Sequence, residues 1–178
     1  MITIRALTYL KIEIDEEIQG LDQIFSVLQK KGLYEEEIAK KILADEVILR
    51  GVAGLLQDYY SGAERIFKKI ALEIDERLPK GESWHKMLLS QMKAKIPGIR
   101  PEAISEKNYE KLDELRSFRH RVGNIYSFNL IPQNVLNNVR LLYKLNESFK
   151  RDIEIFLEKM KDSLEKKIKN QSKPRFKL

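Results

Sequence analysis

The sequence predicts an all-α protein, an up-and-down bundle of about five helices. Its 178 residues include only eight glycines and five prolines, which is too few turn formers for an all-β chain. Hydrophobic residues make up 43% and charged residues 34%, a balance that is too apolar for a disordered chain. Apolar residues also recur every three or four positions over long runs, as they do on one face of a helix. We expect one domain over residues 1–165.

The first helix follows from one continuous apolar stripe, and Gly32 is expected to end it. Spacings of three and four place these side chains on one helix face. The stripe consists of Leu7, Leu10, Ile14, Ile18, Leu21, Phe25 and Leu28.

A second periodic run begins near Glu35 and continues until Pro79 stops it. It is long enough to bend or break. Three glycines lie inside the run, and each costs a helix about 1 kcal/mol relative to alanine. They mark either kinks or places where another helix packs closely, and we expect close packing at Gly51, Gly54 and Gly62.

Three shorter patterns predict the remaining helices. A turn around Gly81 leads to a helix from Trp84 to about Lys95, which Ser83 or Glu82 could cap. Ser105 is expected to cap a fourth helix over residues 106–126. Pro132 suits the first turn of a fifth helix, where its missing N–H costs nothing.

The fifth helix carries a heptad-like apolar pattern with one polar residue, Asn146. Asn146 either fixes the register of a buried helix–helix interface or lies at the solvent-exposed edge of the bundle. The pattern consists of Val135, Val139, Leu142, Asn146, Phe149, Ile153, Phe156 and Met160.

The composition excludes several chemistries. The chain has no cysteine and only two histidines, so we expect no disulfide, thiol nucleophile, iron–sulfur cluster or ordinary zinc site. No metal and no cofactor are expected. No run approaches the length that crosses a bilayer, and acidic residues follow the N-terminus too soon for a secretory signal. These features predict a cytoplasmic protein that does not contact the membrane.

The net charge of +6 comes entirely from the C-terminal segment. The six lysines and arginines after Glu165 equal the excess, so residues 1–165 are neutral in sum. We expect residues 166–178 to form a basic, flexible tail. Such a tail can contact RNA or an acidic partner, or it can simply be solvated.

The fourth helix presents the candidate chemistry. At 100° per residue, an apolar stripe that includes Leu115 and Phe118 adjoins a polar arc that carries Arg116, Arg119 and His120. An arginine fork matches phosphate oxygens and an imidazole exchanges protons near neutral pH, so this arc has the groups that phosphodiester cleavage by an adjacent hydroxyl requires. An ordinary salt-bridged surface or a subunit contact explains the same pattern.

The run FRHRVGNIYSFNL, with LDELRS before it, resembles the signature helix of the HEPN superfamily, and most closely its HepT-like branch from toxin–antitoxin pairs. That signature is an arginine followed by a polar residue, a histidine five positions after the arginine, and a tyrosine two positions later. Arg119, His120 and Tyr126 match it, whereas Asn124 stands where the signature has histidine. The similarity extends over about residues 50–130, through LLQDYYSGAERIFKKIA, ESWHKMLLSQM and IRPEAIS.

The resemblance implies a five-helix HEPN-like bundle that forms a homodimer and cuts RNA without a metal. It implies that Arg119 stabilises phosphate charge while a histidine moves a proton. Asn124 cannot exchange a proton near pH 7, so His120, one turn earlier, is the hypothetical substitute. Arg116 and Arg121 are candidate phosphate or RNA contacts. In such pairs a nucleotidyltransferase antitoxin can attach AMP to the tyrosine, here Tyr126.

Other interpretations stay open. The chain could be a non-catalytic helical dimerisation or interaction module that partners the nucleotidyltransferase antitoxin. A histidine phosphotransfer bundle is a third class, although the Lys-Gly pair that usually follows its histidine is missing after His120.

Three further groups of residues have more than one interpretation. His85 is expected to pack beside Trp84, with a catalytic role as the alternative. A polar and aromatic cluster on the second helix could line the same cleft, and it consists of Asp58, Tyr59, Tyr60 and Glu64. The dimer surface could include Arg116, Gly123 or the fifth-helix heptad.

Overall fold

Six helices form the bundle in a computed structural model that describes residues 2–123 and 130–171. The all-α prediction is confirmed, and these described ranges contain no strand. No helix within them is long and apolar enough to span a membrane. The helices are α1 (Ile4–Lys30), α2 (Glu36–Ile42), α3 (Glu46–Glu73), α4 (Trp84–Lys93), α5 (Glu106–Gly123) and α6 (Pro132–Gln171).

Helix α1 forms where the first apolar stripe predicts it. The side chain of Thr3 accepts a hydrogen bond of 3.1 Å from the backbone N–H of Ala6, which caps the helix start. Gly32 follows the helix with φ of +68°, a backbone conformation that favours glycine, so this residue ends the helix as expected. Of the predicted stripe, Leu7, Leu10, Ile14, Leu21 and Leu28 are buried.

The second predicted helix is two helices, α2 and α3, which is why six helices stand where about five were expected. The chain breaks at Asp45, whose side chain accepts hydrogen bonds from the backbone N–H groups of Val47 at 2.8 Å and Ile48 at 3.0 Å. These bonds satisfy the first free donors of α3 and fix its start. The break lies before all three glycines of the run, so none of them is the point of interruption.

Close packing is confirmed at Gly62 and wrong at Gly51 and Gly54. A β-carbon on Gly62 would lie 2.6 Å from Cδ2 of Leu21, so the missing side chain lets α3 approach α1. A β-carbon on Gly51 or Gly54 would meet nothing within 4 Å.

Helix α6 contacts α1, α3 and α5, and every residue of its predicted heptad is buried. Asn146 is fully buried and accepts a hydrogen bond from the Tyr59 hydroxyl, so it belongs to the buried interface rather than to the solvent-exposed edge. The helix continues to Gln171. Residues 166–171 of the expected tail are therefore helical, and residues 172–178 lie outside the described ranges.

Buried polar contacts fix the start of α5, whereas the start of α4 has no side-chain cap. Ser83 occupies the N-cap position of α4, but its side chain makes no capping hydrogen bond. Arg100 and Asp75 are buried and form a two-point ion pair of 2.6 and 2.9 Å, which ties the segment before α5 to the end of α3. Asp152 on α6 accepts three hydrogen bonds from Ser105 and Asn108, so the start of α5 is fixed on α6.

Candidate functional site

Arg119, the motif arginine on α5, lies beside a buried carboxylate on α3. Its Nη1 is 3.5 Å from Oε1 of Glu64, and the centroid of the Tyr60 ring is 5.9 Å from the guanidinium carbon. The side chain of Glu64 is only 5% exposed, whereas that of Arg119 is 34% exposed. The carboxylate thus binds the guanidinium from the protein interior, while part of the Arg119 side chain stays exposed to solvent.

Two more basic groups reach the same carboxylate. Nδ1 of His85 on α4 makes a short hydrogen-bonding contact with Oε1 of Glu64, and Nζ of Lys68 lies 3.6 Å from Oε2. We call Glu64, Lys68, His85 and Arg119 the Glu64 cluster. Three helices contribute to it, and each basic side chain is about one-third exposed. One buried negative charge therefore organises three basic groups on one surface.

Trp84 fixes the positions of two members of the cluster. The rings of Trp84 and His85 have centroids 3.7 Å apart with an angle of 31° between their planes. Nζ of Lys68 lies 4.4 Å from the centroid of the Trp84 ring, within the range of a cation–π contact. The expected packing of His85 beside Trp84 is confirmed, and the imidazole is also bound to Glu64. Its plane and its Nδ1 direction are both constrained.

Tyr60 forms the inner wall next to Arg119. Its hydroxyl is buried, and no described residue gives it a hydrogen bond. Burial raises the pKa of Tyr60 well above its usual value, and the negative charge of Glu64 raises it further. Tyr60 is therefore a neutral phenol at physiological pH and does not act as a base. Tyr59 points elsewhere, to Asn146, so the tyrosines of the predicted cluster separate.

The structure gives the other predicted site residues different surroundings. His120 is exposed on α5. Asp58, the remaining member of the polar cluster predicted on the second helix, is exposed. Asn124 and Tyr126 lie outside the described residues.

Arg116 and Arg121 leave the helix in different directions. Nε of Arg116 is 2.7 Å from Asp113, so this guanidinium is paired on its own helix. Arg121 is exposed and lines a groove between α5 and α6, together with Asn134 and Asn137. Arg116, Arg119 and Arg121 therefore do not converge on one anion-binding position.

A second cleft lies farther along the same two helices, and we call it the α5–α6 groove. Lys107 and Lys111 line it from α5, and Lys144 and Arg151 line it from α6. Lys107, Lys144 and Arg151 are exposed, and no described acidic residue forms an ion pair with them. Asp152, also in the groove, already accepts three hydrogen bonds. Glu147 and Glu154 also line the groove, so five basic side chains, with Lys150 included, outnumber three acidic ones.

The sequence analysis allowed Glu64 and Tyr60 to line the cleft of the motif, as they do beside Arg119, but it did not join Glu64 to both His85 and Arg119. These residues are separated by 21 and 55 positions, and no local spacing brings three helices together. One signal was present, because Glu64 lies four residues after Tyr60 and three before Phe67, on the buried stripe of α3. A carboxylate on such a stripe requires a partner.

Comparison with models of protein families gave one match. The family is described as HepT-like protein, and its model matches residues 51–160, well over half of the chain. The matched range contains every member of the Glu64 cluster and the α5–α6 groove. Neither the curated proteins nor the solved structures gave a match.

Proposed function

Since this chain belongs to the HepT-like protein family, we propose that it acts on RNA as a metal-independent endoribonuclease toxin. The observation that carries the proposal is the Glu64 cluster, which holds the motif arginine Arg119 next to an imidazole. Cleavage by the neighbouring 2′-hydroxyl needs a group that stabilises negative charge on phosphate oxygens and a group that exchanges a proton. Arginine and histidine supply these two functions.

Arg119 has the properties of a phosphate-binding residue. Its planar fork can donate two hydrogen bonds to phosphate oxygens, and one-third of the side chain is exposed. The ion pair with Glu64 is long, at 3.5 Å, and uses Nη1 only. The remaining donors can face a substrate while Glu64 keeps the side chain oriented. Arg116 and Arg121 would add phosphate contacts on either side of α5.

The α5–α6 groove supports RNA as the substrate class. Lys107, Lys144 and Arg151 are exposed basic side chains in a row along two adjacent helices. Basic side chains that neutralise phosphates account for most of the affinity of proteins for nucleic acids. Arg121 lies in the neighbouring cleft between the same two helices, so it would add a contact beyond the groove.

The partners belong to the same proposal. The family context favours a cytoplasmic homodimer that is paired with a nucleotidyltransferase antitoxin. AMP attached to Tyr126 would place a negative phosphate near the arginines of the motif and so oppose RNA binding. Tyr126 and Asn124 are assigned from the sequence alone.

A non-catalytic interaction module is the second candidate, and two observations favour it. Asn124 replaces the motif histidine, and the structure pairs Arg119 with Glu64 rather than leaving it open on all sides. In that case the protein is a degenerate relative that binds RNA or presents itself to the antitoxin without cutting.

Incubation of the purified protein with total RNA and labelled tRNA in EDTA distinguishes these candidates. The protein is compared with Arg119→Ala, with Asn124→His and with Arg50→Ala, a matched control at an exposed arginine paired to Glu46 on α3. Cleavage that is lost in Arg119→Ala and kept in Arg50→Ala supports the ribonuclease. Cleavage that appears only with Asn124→His, or in no variant, supports the interaction module.

A further inference from the structure

The imidazole of His85 is held in a way that ordinary core packing does not require. Trp84 covers one face of the ring, and Glu64 binds Nδ1 from the protein interior. The side chain is 33% exposed, and Nε2 has no hydrogen bond to any described residue. The ring is therefore fixed by its inner nitrogen, and its outer nitrogen is unoccupied within the described part of the chain.

We propose that His85 is the group that exchanges the proton in RNA cleavage and that Glu64 is its positioning residue. This inference rests on the proposed function and names the proton-transfer group of the same site. A carboxylate bound to Nδ1 holds the ring in the tautomer that carries its proton there, which leaves Nε2 as a proton acceptor. Glu64 thereby has a role that neither the motif nor its spacing assigns.

The position of Arg119 supports this assignment. His85 and Arg119 both contact the same oxygen, Oε1 of Glu64, so the imidazole and the guanidinium are neighbours on one surface. A phosphate bound to Arg119 would lie beside this imidazole.

The chemical step balances without an added reactant. The 2′-oxygen forms a bond to the neighbouring phosphorus while its proton passes to Nε2 of His85, and the bond from phosphorus to the 5′-oxygen breaks. The leaving 5′-oxygen takes a proton from water, and the imidazolium returns its proton to the resulting hydroxide. The products are a 2′,3′-cyclic phosphate and a 5′-hydroxyl, and Arg119 stabilises the charge that builds on the phosphate oxygens.

The charges that face His85 come from three helices. Glu64 and Lys68 belong to α3, Arg119 belongs to α5, and His85 itself lies on α4. Glu64→Gln keeps an amide where the carboxylate lies but removes its negative charge, so it should hold the imidazole less firmly. We expect it to slow cleavage about tenfold to a hundredfold.

The test measures RNA cleavage in EDTA as a function of pH for His85→Asn, His85→Ala and Glu64→Gln. Asparagine can still donate a hydrogen bond to Glu64 from about the position of Nδ1, so His85→Asn keeps the contact and loses the proton acceptor. We expect its rate to fall about a hundredfold or more. Binding of a 2′-deoxy oligonucleotide, which cannot be cleaved, should change little. Lys11→Ala, at an exposed ion pair on α1, is the matched control.

Two readouts separate catalysis from a structural role. Added imidazole should restore cleavage to His85→Ala, and His85→Asn should still bind the 2′-deoxy oligonucleotide. Each variant is also checked for its melting temperature. Loss of activity that imidazole does not restore, with a lowered melting temperature, would assign His85 to structure and overturn the inference.

The remaining outcomes are also decisive. If the unchanged protein cleaves RNA and His85→Asn cleaves it equally well with the same pH profile, only the inference fails. Loss of cleavage in His120→Asn but not in His85→Asn would assign the proton transfer to His120 and likewise overturn the inference. If the unchanged protein does not cleave RNA at all, the proposed ribonuclease function fails and the inference fails with it.

Discussion

The hydroxyl of Tyr59 on α3 donates a hydrogen bond of 3.0 Å to Oδ1 of Asn146 on α6, and both side chains are fully buried. The amide of Asn146 also donates to Glu147 at 3.1 Å and to Asp22 at 3.4 Å. A single polar residue in an apolar heptad thus has a fixed partner on another helix. It defines how α6 aligns with α3 inside one chain.

Tyr59→Phe should destabilise the fold, because it leaves Oδ1 of Asn146 buried without its partner. The expected loss is about 1–3 kcal/mol in the free energy of unfolding, measured by urea denaturation. The double variant Tyr59→Phe, Asn146→Leu should lose less than the sum of its two single variants, because both polar partners are absent. Strict additivity would show that the bond contributes nothing to stability.

Gly62→Ala should also destabilise the fold, because its new β-carbon would lie 2.6 Å from Cδ2 of Leu21 and force this buried side chain to shift. We expect a cost of about 1–3 kcal/mol, as for other overpacked cores. Gly54→Ala is the matched control on the same helix, where the new methyl meets nothing. It should stabilise α3 by about 0.5–1 kcal/mol through helix propensity. Equal effects at the two positions would contradict the close contact between α1 and α3.

The α5–α6 groove predicts salt-dependent RNA binding. The triple variant Lys107→Ala, Lys144→Ala, Arg151→Ala should bind single-stranded RNA more weakly. It should also reduce the slope of log affinity against log salt by about 2, since each lost phosphate contact removes about 0.7. Fluorescence anisotropy at several salt concentrations measures both quantities.

A control with the same change in net charge separates the groove from nonspecific attraction. Lys11, Lys40 and Arg50 each pair with an acidic residue four positions away on α1, α2 or α3. The triple alanine variant at these positions should leave the salt slope nearly unchanged. An equal reduction in both triple variants would show that net charge, and not the groove, determines binding.

The buried tyrosines predict a loss of stability at alkaline pH. Burial raises the pKa of Tyr60 above its usual value of 10.0, so the folded state keeps the proton that the unfolded state releases. Its contribution to stability is complete below pH 10 and decreases as the pH rises beyond that value. The same holds for Tyr59, whose pKa is raised by burial and by the charges of Asp22 and Glu147.

Tyr60→Phe provides the check. Its free energy of unfolding should decrease less between pH 8 and pH 10.5 than that of the unchanged protein. At pH 8 the variant should be at least as stable, because the Tyr60 hydroxyl has no hydrogen bond to a described residue. A steeper alkaline loss in Tyr60→Phe would contradict the assigned direction of the pKa change.

The helices were predictable where apolar spacing and local caps agree. The stripe of α1 ends at Gly32, and the heptad of α6 begins after Pro132, so both elements follow from short-range rules. The division between α2 and α3 was missed because apolar residues such as Leu43 and Leu49 continue the pattern across Asp45. A cap that interrupts the backbone without interrupting the apolar period cannot be seen from periodicity.

The site was predictable on α5 and, through Tyr60 and Glu64, in part on α3. The motif identified Arg119, but its pairing with Glu64 and His85 depends on how three helices pack. The sequence analysis expected His85 to pack beside Trp84, which is confirmed. It could not predict that the Glu64 carboxylate contacts the same imidazole. Local patterns report which face of a helix is buried, and they do not report which faces meet.

The contact between α1 and α6 bears on how the protein is made. Lys150 lies 2.7 Å from Asp22, and Asn146 also reaches that carboxylate, although 128 positions separate Asp22 from Lys150. At a synthesis rate of about 5–20 residues per second, the ribosome completes α1 roughly 10 s before the matching part of α6. During translation the apolar stripe of α1 can pack on α3, but the part that contacts α6 stays uncovered until α6 is synthesised. A chaperone that covers that stripe on the nascent chain would have to leave when α6 emerges.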